Sequence, residues 1–139
     1  MKLFVDTNIL MDVFAERVPF YTDASRIWTL AEQGRVDGLV SAVSFTTVYD
    51  LVDRWVNADS AREAVVLLRD AFTAVACDAK VINHAIDAAL PDFEDAVQYF
   101  CALHAGADCI LTRNVRDFPG QPEIPVLSPR EFLSETEIE

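Results

Sequence analysis

An acidic residue directly follows the first apolar run of the chain, and two more polar residues come straight after it. The run is "KLFV", and the polar residues are Asp6, Thr7 and Asn8. Such residues cap helices and turns by hydrogen bonding to nearby backbone. For Thr7 and Asn8, capping is the role that we expect first. A metal or phosphate site explains them equally well, because open α/β sheets bind ligands at the carboxyl ends of their strands. This stretch alone leaves both interpretations open.

A second acidic group begins a late helical stretch, where Asp92, Glu94 and Asp95 fall within four residues. The positive end of the helix dipole favours acids there by roughly 0.3–1 kcal/mol each, and capping explains one or two of them. A bound cation would relieve the repulsion among the rest and hold their pKa values down. The trio therefore indicates a cation site, with helix capping as the alternative.

A third polar group follows the apolar run "CIL". It contains Thr112, Arg113 and Asn114, and Asp117 comes three residues after Asn114. Like Asp6, these residues lie where a predicted strand ends. Arg113 and Arg116 flank the acids, so they either neutralise a phosphate or form solvated salt bridges.

The elements that must position these groups alternate between strand-like runs and helical patterns. The predicted strands are "KLFV", "GLVSA", "TAVAC", "DCILT" and "PVL". The predicted helices run from about Asn8 to Glu16, from a cap at Thr22 or Asp23 to Gly34, from Ser44, from Asp59 or Ser60, through "AKVINHAIDAAL", from Asp92 to Gly106, and from Ser128 with a capping box to Glu131. Strands separated by helices predict a mostly parallel sheet covered on both faces.

The composition is typical of one domain covering residues 1–139, since 52% of the chain is hydrophobic. No apolar run approaches the roughly 20 residues of a membrane span, and an acid at position six argues against a signal peptide. We therefore expect a cytoplasmic protein with no membrane partner. Cys77, Cys101 and Cys109 are widely spaced in apolar contexts, which predicts core residues rather than a disulfide or zinc site.

The charge of the chain restricts its partners. It has 23 acidic and 11 basic residues, a net charge of −12. Such a surface repels nucleic acid unless something local reverses the field. Clustered carboxylates would instead attract a divalent cation, and the overall charge would attract a basic protein.

Three motifs, "VDTNILMD", "DFEDAVQY" and "TRNVRDF", follow one another in an order that resembles the PIN-domain ribonucleases, including the VapC-type toxins of bacterial toxin–antitoxin pairs. The resemblance spans nearly the whole chain, down to "IPVLSPREFL". It implies a three-layer α/β/α sandwich, a carboxylate cluster that binds Mg²⁺ or Mn²⁺, and cleavage of RNA phosphodiester bonds. It also suggests an antitoxin partner and a homodimer. We predict that the homodimer interface contains apolar residues of the early helices such as Phe14, Phe20 and Trp28. Burial in the core is the alternative explanation for each of them.

The resemblance also implies roles for single residues. Asp6 and Asp95 match family acids and are the predicted metal ligands and catalytic residues. Asp92 and Asp117 are further catalytic candidates. The predicted substrate-binding residues are Thr7, Asn8, Thr112, Arg113 and Asn114.

Two positions depart from the family pattern. Thr47 stands where the family often has a glutamate, and Asn114 stands where many members have an aspartate. The candidates to complete the site are Asp92, Glu94, Asp50 and Asp117. These departures make a PIN-fold binding module without catalysis the alternative function.

Other reaction types fit the sequence less well. Haloacid-dehalogenase-like phosphotransferases need an acid where Asn8 stands, and a receiver-type phosphoacceptor needs a lysine near Arg113. Hydrolysis by a metal-activated water requires no nucleophilic side chain. We therefore interpret His84 and His104, both in helical stretches, as ordinary helix residues.

Overall fold

Five strands form one parallel sheet in the part of the chain that the computed structural model describes, residues 1–120 and 122–136. They are β1 (Lys2–Val5), β2 (Asp37–Ser41), β3 (Thr73–Val75), β4 (Cys109–Leu111) and β5 (Val126–Leu127). Their order is β3-β2-β1-β4-β5, and every neighbouring pair is parallel. The first strand is therefore central, and the residue after it leaves the middle of the sheet.

Helices connect the strands and cover both faces of the sheet. They are α1 (Thr7–Phe14), α2 (Tyr21–Glu32), α3 (Ala42–Trp55), α4 (Ala58–Ala71), α5 (Ala79–Ala88), α6 (Phe93–His104), a 3₁₀ helix (Val115–Asp117) and α7 (Pro129–Thr136). Among these described helices, none combines the length and apolar character needed to cross a membrane. The predicted three-layer α/β/α sandwich is confirmed.

Two apolar cores lie on opposite sides of the sheet. Leu3 and Val5 of β1 point into one core, which α1 to α4 and α7 cover. Phe4 points into the other core, which α5 and α6 cover. Because both faces are buried, the buried positions of β1 and β4 are all apolar instead of alternating with polar residues.

Two predicted helix starts are wrong by a few residues. Helix α3 is capped by Ser41, whose Oγ accepts a bond from the backbone two residues on, while Ser44 is buried in the first turn. Helix α2 begins after Phe20 and not after Thr22 or Asp23. In α3 the chain turns directly from β2 into the helix, so the serine at the end of the strand takes the cap.

The predicted start of α4 is also wrong, whereas the predicted ends of two other helices are confirmed. Asn57 caps α4 by accepting a bond from the backbone N–H of Ser60 at 2.8 Å, so Asp59 and Ser60 lie inside the helix. Gly34 and Gly106 follow α2 and α6 with φ of 72°. That left-handed backbone favours glycine, as the sequence predicted.

The last strand and helix follow the predicted pattern. Ser128 Oγ accepts a bond from the backbone N–H of Glu131 at 3.1 Å. Glu131 Oε1 accepts one from the backbone N–H of Ser128 at 3.0 Å. These reciprocal bonds form the predicted capping box.

The cysteines and histidines lie away from the carboxyl edge of β1 and β4. All three cysteines are free thiols; Cys101 and Cys109 are buried and Cys77 is half-buried. His84 Nδ1 and His104 Nε2 lie 2.9 Å apart on the exposed surface of α5 and α6. The two imidazoles therefore form a hydrogen bond between paired helices, which is a packing role.

Candidate metal and active site

Asp6 lies at the centre of the carboxyl edge of the sheet, between β1 and α1. Its backbone N–H donates to the carbonyl of Leu111 at 2.9 Å, which extends the pairing of β1 with β4. The residue is 2% exposed, and its Oδ2 accepts a bond from the hydroxyl of Thr112 at 2.7 Å. Its side chain makes no capping hydrogen bond to α1. The neighbouring strand therefore holds this carboxylate in place.

Asp95 lies in the first turn of α6 and is 5% exposed. Asp92 caps the helix, because its Oδ1 accepts a bond from the backbone N–H of Asp95 at 3.0 Å. Oδ2 of Asp95 is buried and has no hydrogen-bond partner among the described residues. Because a buried polar atom normally has a partner, this oxygen is free to bind a ligand.

Burial raises the pKa of both inner carboxyl groups above their ordinary value of 3.8. The pKa of Asp6 rises to about 6, because burial outweighs the bonds from Thr112 and from the backbone of Thr7. The pKa of Asp95 rises to about 7, chiefly through burial and then through the negative charge of Asp6. The two groups therefore interact, and a nearby positive charge would favour their ionised forms.

Three further carboxylates surround this pair. The charges of Asp92, Glu94 and Asp117 each contribute to the raised pKa of Asp95. Asp92 and Glu94 are exposed, and Asp117 is half-buried in the 3₁₀ helix. The charges of the predicted catalytic acids Asp6, Asp92 and Asp117 thus all act on Asp95, and the catalytic roles of the four acids stay predictions.

The two positions that depart from the family pattern supply no carboxylate to the pair. Thr47 is half-buried in α3, and its hydroxyl donates to the carbonyl of Val43 at 3.4 Å. Asp50 is exposed one turn later and is not among the main charges acting on Asp6 or Asp95. In this fold α3 therefore does not replace the missing glutamate.

The donor set fits a hard divalent cation with few protein ligands. Within residues 1–120 and 122–136, no three acidic, histidine or cysteine side chains are grouped closely enough to enclose a metal ion. Mg²⁺ keeps several waters and needs only one or two direct carboxylates. Asp6 and the unpaired oxygen of Asp95 meet that requirement, with outer acids adding negative charge.

The hydroxyl of Thr112 is the centre of a small hydrogen-bond network. It donates to Asp6 and accepts bonds from Asn8 Nδ2 at 3.4 Å and from the backbone N–H of Asn114 at 3.0 Å. A hydroxyl has one donor and two acceptor positions, so all are used within the protein. This geometry suits a role of Thr112 in positioning Asp6. The substrate binding predicted for Thr112 stays a prediction.

Thr7 and Asn8 do not cap α1, in contrast to the first expectation. Thr7 is buried in the first turn, and its Oγ1 lies 2.7 Å from Oγ of Ser44. Asn8 Oδ1 accepts a bond from the backbone N–H of Arg113 at 3.4 Å. Both side chains instead connect α1 to other elements, and their predicted contact with substrate stays a prediction.

Arg113 binds an acid that the sequence reasoning missed. Its Nε donates to Asp12 Oδ2 at 2.7 Å and its Nη2 to Oδ1 at 3.1 Å. Asp12 is 1% exposed, and the Arg113 guanidinium lies 4.2 Å from the centre of the Phe20 ring. The charge of Arg113 is therefore largely matched within the protein, whereas Asn114 beside it is exposed.

Three buried polar residues of this region, Asp12, Ser44 and Gln98, were not predicted as residues of the site. Asp12 gives a signal in the sequence, since it interrupts an apolar helix four residues after Asn8 and so shares its face. Gln98 follows Asp95 by one turn, and its buried Oε1 has no partner among the described residues. Ser44 was noticed only as a cap.

The family comparison agrees with this arrangement. The profile of the family described as PIN domain matches residues 2–116. Among curated proteins, the chain is 27% identical over 135 residues to "Ribonuclease VapC1" of Aquifex aeolicus, covering 94% of this chain and 92% of the relative. The matched residues include Asp6, Asp95 and the whole β4 exit up to Arg116.

Solved structures show the same fold at low sequence identity. VapBC-1 from nontypeable Haemophilus influenzae has a TM-score of 0.71 and 17% identity, covering 94% of this chain and 99% of that chain. A toxin–antitoxin complex from Klebsiella pneumoniae has a TM-score of 0.67 and 22% identity, covering 93% and 98%. At these identities the likeness concerns the fold.

Proposed function

Because the chain belongs to the PIN domain family, we propose that it is a metal-dependent endoribonuclease and the toxin of a toxin–antitoxin pair. One observation carries the proposal: Asp6 and Asp95 are both buried and electrostatically coupled, and Oδ2 of Asp95 lacks a partner. Without a ligand this arrangement only costs stability, since desolvated like charges repel. It is therefore better explained by function than by folding.

The residues of the site would act mainly by holding a cation and keeping the geometry fixed. Asp6 and Asp95 would bind Mg²⁺ or Mn²⁺, which when bound activates water and stabilises charge on a phosphate. Thr112 fixes one oxygen of Asp6, and Asp92 fixes the start of the helix that carries Asp95. Asp117 and Glu94 would strengthen cation binding through their charges.

The acidity of the chain supports a role for a cation in substrate binding. With a net charge of −12, the protein repels RNA phosphates except where positive charge accumulates. A divalent ion between the two carboxylates would reverse the field at the point where the phosphate must lie. We therefore expect RNA binding and cleavage to depend together on the metal.

A PIN-fold binding module without catalysis is the second candidate. It is favoured by one observation, that the described residues offer no group of three metal-binding side chains. Such a module would keep the fold but gain little stability from Mn²⁺. Metal-dependent stabilisation therefore separates the two candidates.

Partners and organisation are also proposals. The structural relatives include toxin–antitoxin complexes, and a protein with this charge would suit a basic antitoxin. A homodimer stays a prediction; of its three predicted residues, Phe14 and Trp28 pack edge to face against the core and Phe20 is exposed. One domain over residues 1–139 and a cytoplasmic location likewise stay predictions.

A melting experiment tests the proposed site. We expect saturating Mn²⁺ to raise the melting temperature of the parent, since ligand at 100 times its Kd stabilises by about 2.7 kcal/mol. Asp6→Asn should abolish most of this rise, and Asp87→Asn, which changes an exposed acid of α5, should keep it. An equal rise in all three proteins would contradict the assignment.

A further inference from the structure

A cavity of about 330 Å³ lies beside the candidate site, at the same carboxyl edge of the sheet. Its lining includes Asp12, Pro19, Phe20, Arg113, Pro129 and Arg130. Small-molecule sites span about 300–1,000 Å³, so the cavity is large enough for one compact ligand. The proposed cleavage chemistry does not use it.

The cavity offers a flat aromatic surface held in a fixed position. Phe20 is 42% exposed, although it adjoins a buried ion pair. The guanidinium of Arg113 stacks over one face of the ring, 4.2 Å from its centre, and is itself held by two bonds to Asp12, so a base would stack on the opposite face. An exposed aromatic ring beside arginine is the arrangement on which nucleobases stack in proteins that bind single strands.

The charges that line the cavity are balanced, in contrast to those of the whole chain. Arg113 pairs with Asp12, and Arg130 pairs with Asp23. Two arginines therefore face two aspartates, in a protein whose net charge is −12. The cavity thus repels a phosphodiester less than the acidic surface of the chain as a whole does.

The cavity is close to the candidate carboxylates along the chain and in space. Thr112 bonds to Asp6, and the next residue, Arg113, lines the cavity. Adjacent Cα atoms are only about 3.8 Å apart. The backbone N–H of Arg113 also donates to Asn8, two residues after Asp6. A base in the cavity and a phosphate at the carboxylates would thus belong to nearby nucleotides of one strand.

From these observations we propose that the cavity binds one unpaired nucleobase of the RNA next to the scissile phosphate. The base stacks on Phe20 beside Arg113, and the sugar–phosphate continues past Arg130. This inference rests on the proposed function for its choice of RNA. It assigns Phe20 as a substrate-binding residue that selects single-stranded substrate.

Binding of mononucleotides tests the cavity without any cleavage. We would titrate adenosine monophosphate into ¹⁵N-labelled protein in EDTA and follow the Arg113 Nε–H signal by NMR. The nucleotide should shift this signal, whereas ribose 5-phosphate, which lacks the base, should not. Phe20→Ala should weaken binding about tenfold or more, because a stacked base typically contributes that much.

Two further variants control for altered structure. Phe20→Trp keeps an aromatic surface and should retain binding. Ile86→Ala removes an exposed apolar residue of α5 and should bind as the parent does. Equal shifts with ribose 5-phosphate, or no shift with the nucleotide, would overturn the proposal.

Cleavage kinetics separate this proposal from the proposed function. If RNA is cleaved, Phe20→Ala should raise KM about tenfold with little change in kcat, and Phe20→Trp should restore KM. Nucleotide binding at the cavity without any cleavage would support the cavity and contradict the nuclease. Normal cleavage with an unchanged KM in Phe20→Ala would contradict base binding in the cavity but not the proposed nuclease function.

Sedimentation tests the other possible occupant of this surface. A loss of dimers in Phe20→Ala would assign the surface to a second copy of the chain and overturn the proposal.

Discussion

The carboxyl group of Asp95 is the group of the site that should lower the stability of the apo protein most. It is buried, its Oδ2 has no partner among the described residues, and four other acids raise its pKa. A structural acid in this position would be expected to have a hydrogen-bond donor for each oxygen. The side chain therefore lowers the stability of the apo protein, and a bound cation would explain its position.

This property predicts an unusual dependence of apo stability on pH. The folded-state pKa of Asp95 is about 7, and the ordinary value is 3.8. The folded protein thus holds this proton more tightly than the unfolded chain, so the contribution is present at low pH and is lost as pH rises towards the folded pKa. We expect the free energy of unfolding in EDTA to fall from about pH 5 to about pH 8.

Urea denaturation of the parent and of Asp95→Asn at both pH values measures this effect. The variant cannot ionise at this position, so it should lose less stability over the same range. A parent that becomes more stable towards pH 8, or a variant with the same slope, would contradict the assignment of the shift to Asp95.

At the scale of elements, the site depends on two connections. One fixes the start of a helix, and the other joins a helix to the segment that follows a strand. One is the cap of α6 by Asp92, and the other is the ion pair between Asp12 of α1 and Arg113 after β4. The first is local and was among the alternatives that the sequence allowed. The second joins residues 101 positions apart, which a local pattern does not reveal.

The cap makes Asp92 testable as a structural residue. We expect Asp92→Ala to lower the free energy of unfolding by about 1 kcal/mol, whereas Asp92→Asn, an equally good cap, should leave it unchanged. If capping is its main role, Asp92→Asn keeps the cap and should reduce RNA cleavage by no more than about tenfold, the lower end of the loss caused by changing a partner of a metal ligand. A much larger loss with an intact fold would show direct participation of the carboxylate, as the sequence predicted.

The ion pair predicts a marked asymmetry between single and double variants. Arg113→Met should destabilise the protein by about 3 kcal/mol, because it leaves the buried carboxylate of Asp12 without its main partner. Adding Asp12→Leu should restore most of this loss, since an apolar pair of similar volume avoids burying a charge. Urea denaturation of the two single variants and the double variant measures the coupling; additive losses would contradict it.

Over the whole molecule, the sequence predicts the architecture more completely than the details of the site. The apolar runs ended by polar or glycine residues predicted every strand. The signal is strongest in β1 and β4, which are buried on both faces, whereas the edge strand β3 is largely exposed. Helix starts were less certain, since several serines and acids competed for each cap, as at Ser41 and Ser44. Asp6 and Asp95 are both buried, and the charge of Asp6 acts on Asp95, while their role as metal ligands stays a prediction. The hydrogen bonds that Thr112 donates to Asp6 and that Asn8 accepts from Arg113 connect distant segments, so they required the structure.

The central claim is that Asp6 and Asp95 form a catalytic metal site, and single-turnover RNA cleavage by Asp95→Asn in Mn²⁺ tests it most directly. We predict a loss of at least about 100-fold, because a metal contributes several kcal/mol to the transition state. Asp87→Asn should cleave as the parent does, and Asp95→Asn should melt at a higher temperature than the parent in EDTA, which shows that the fold is intact. Parental cleavage by Asp95→Asn together with a lower melting temperature in EDTA would contradict the account.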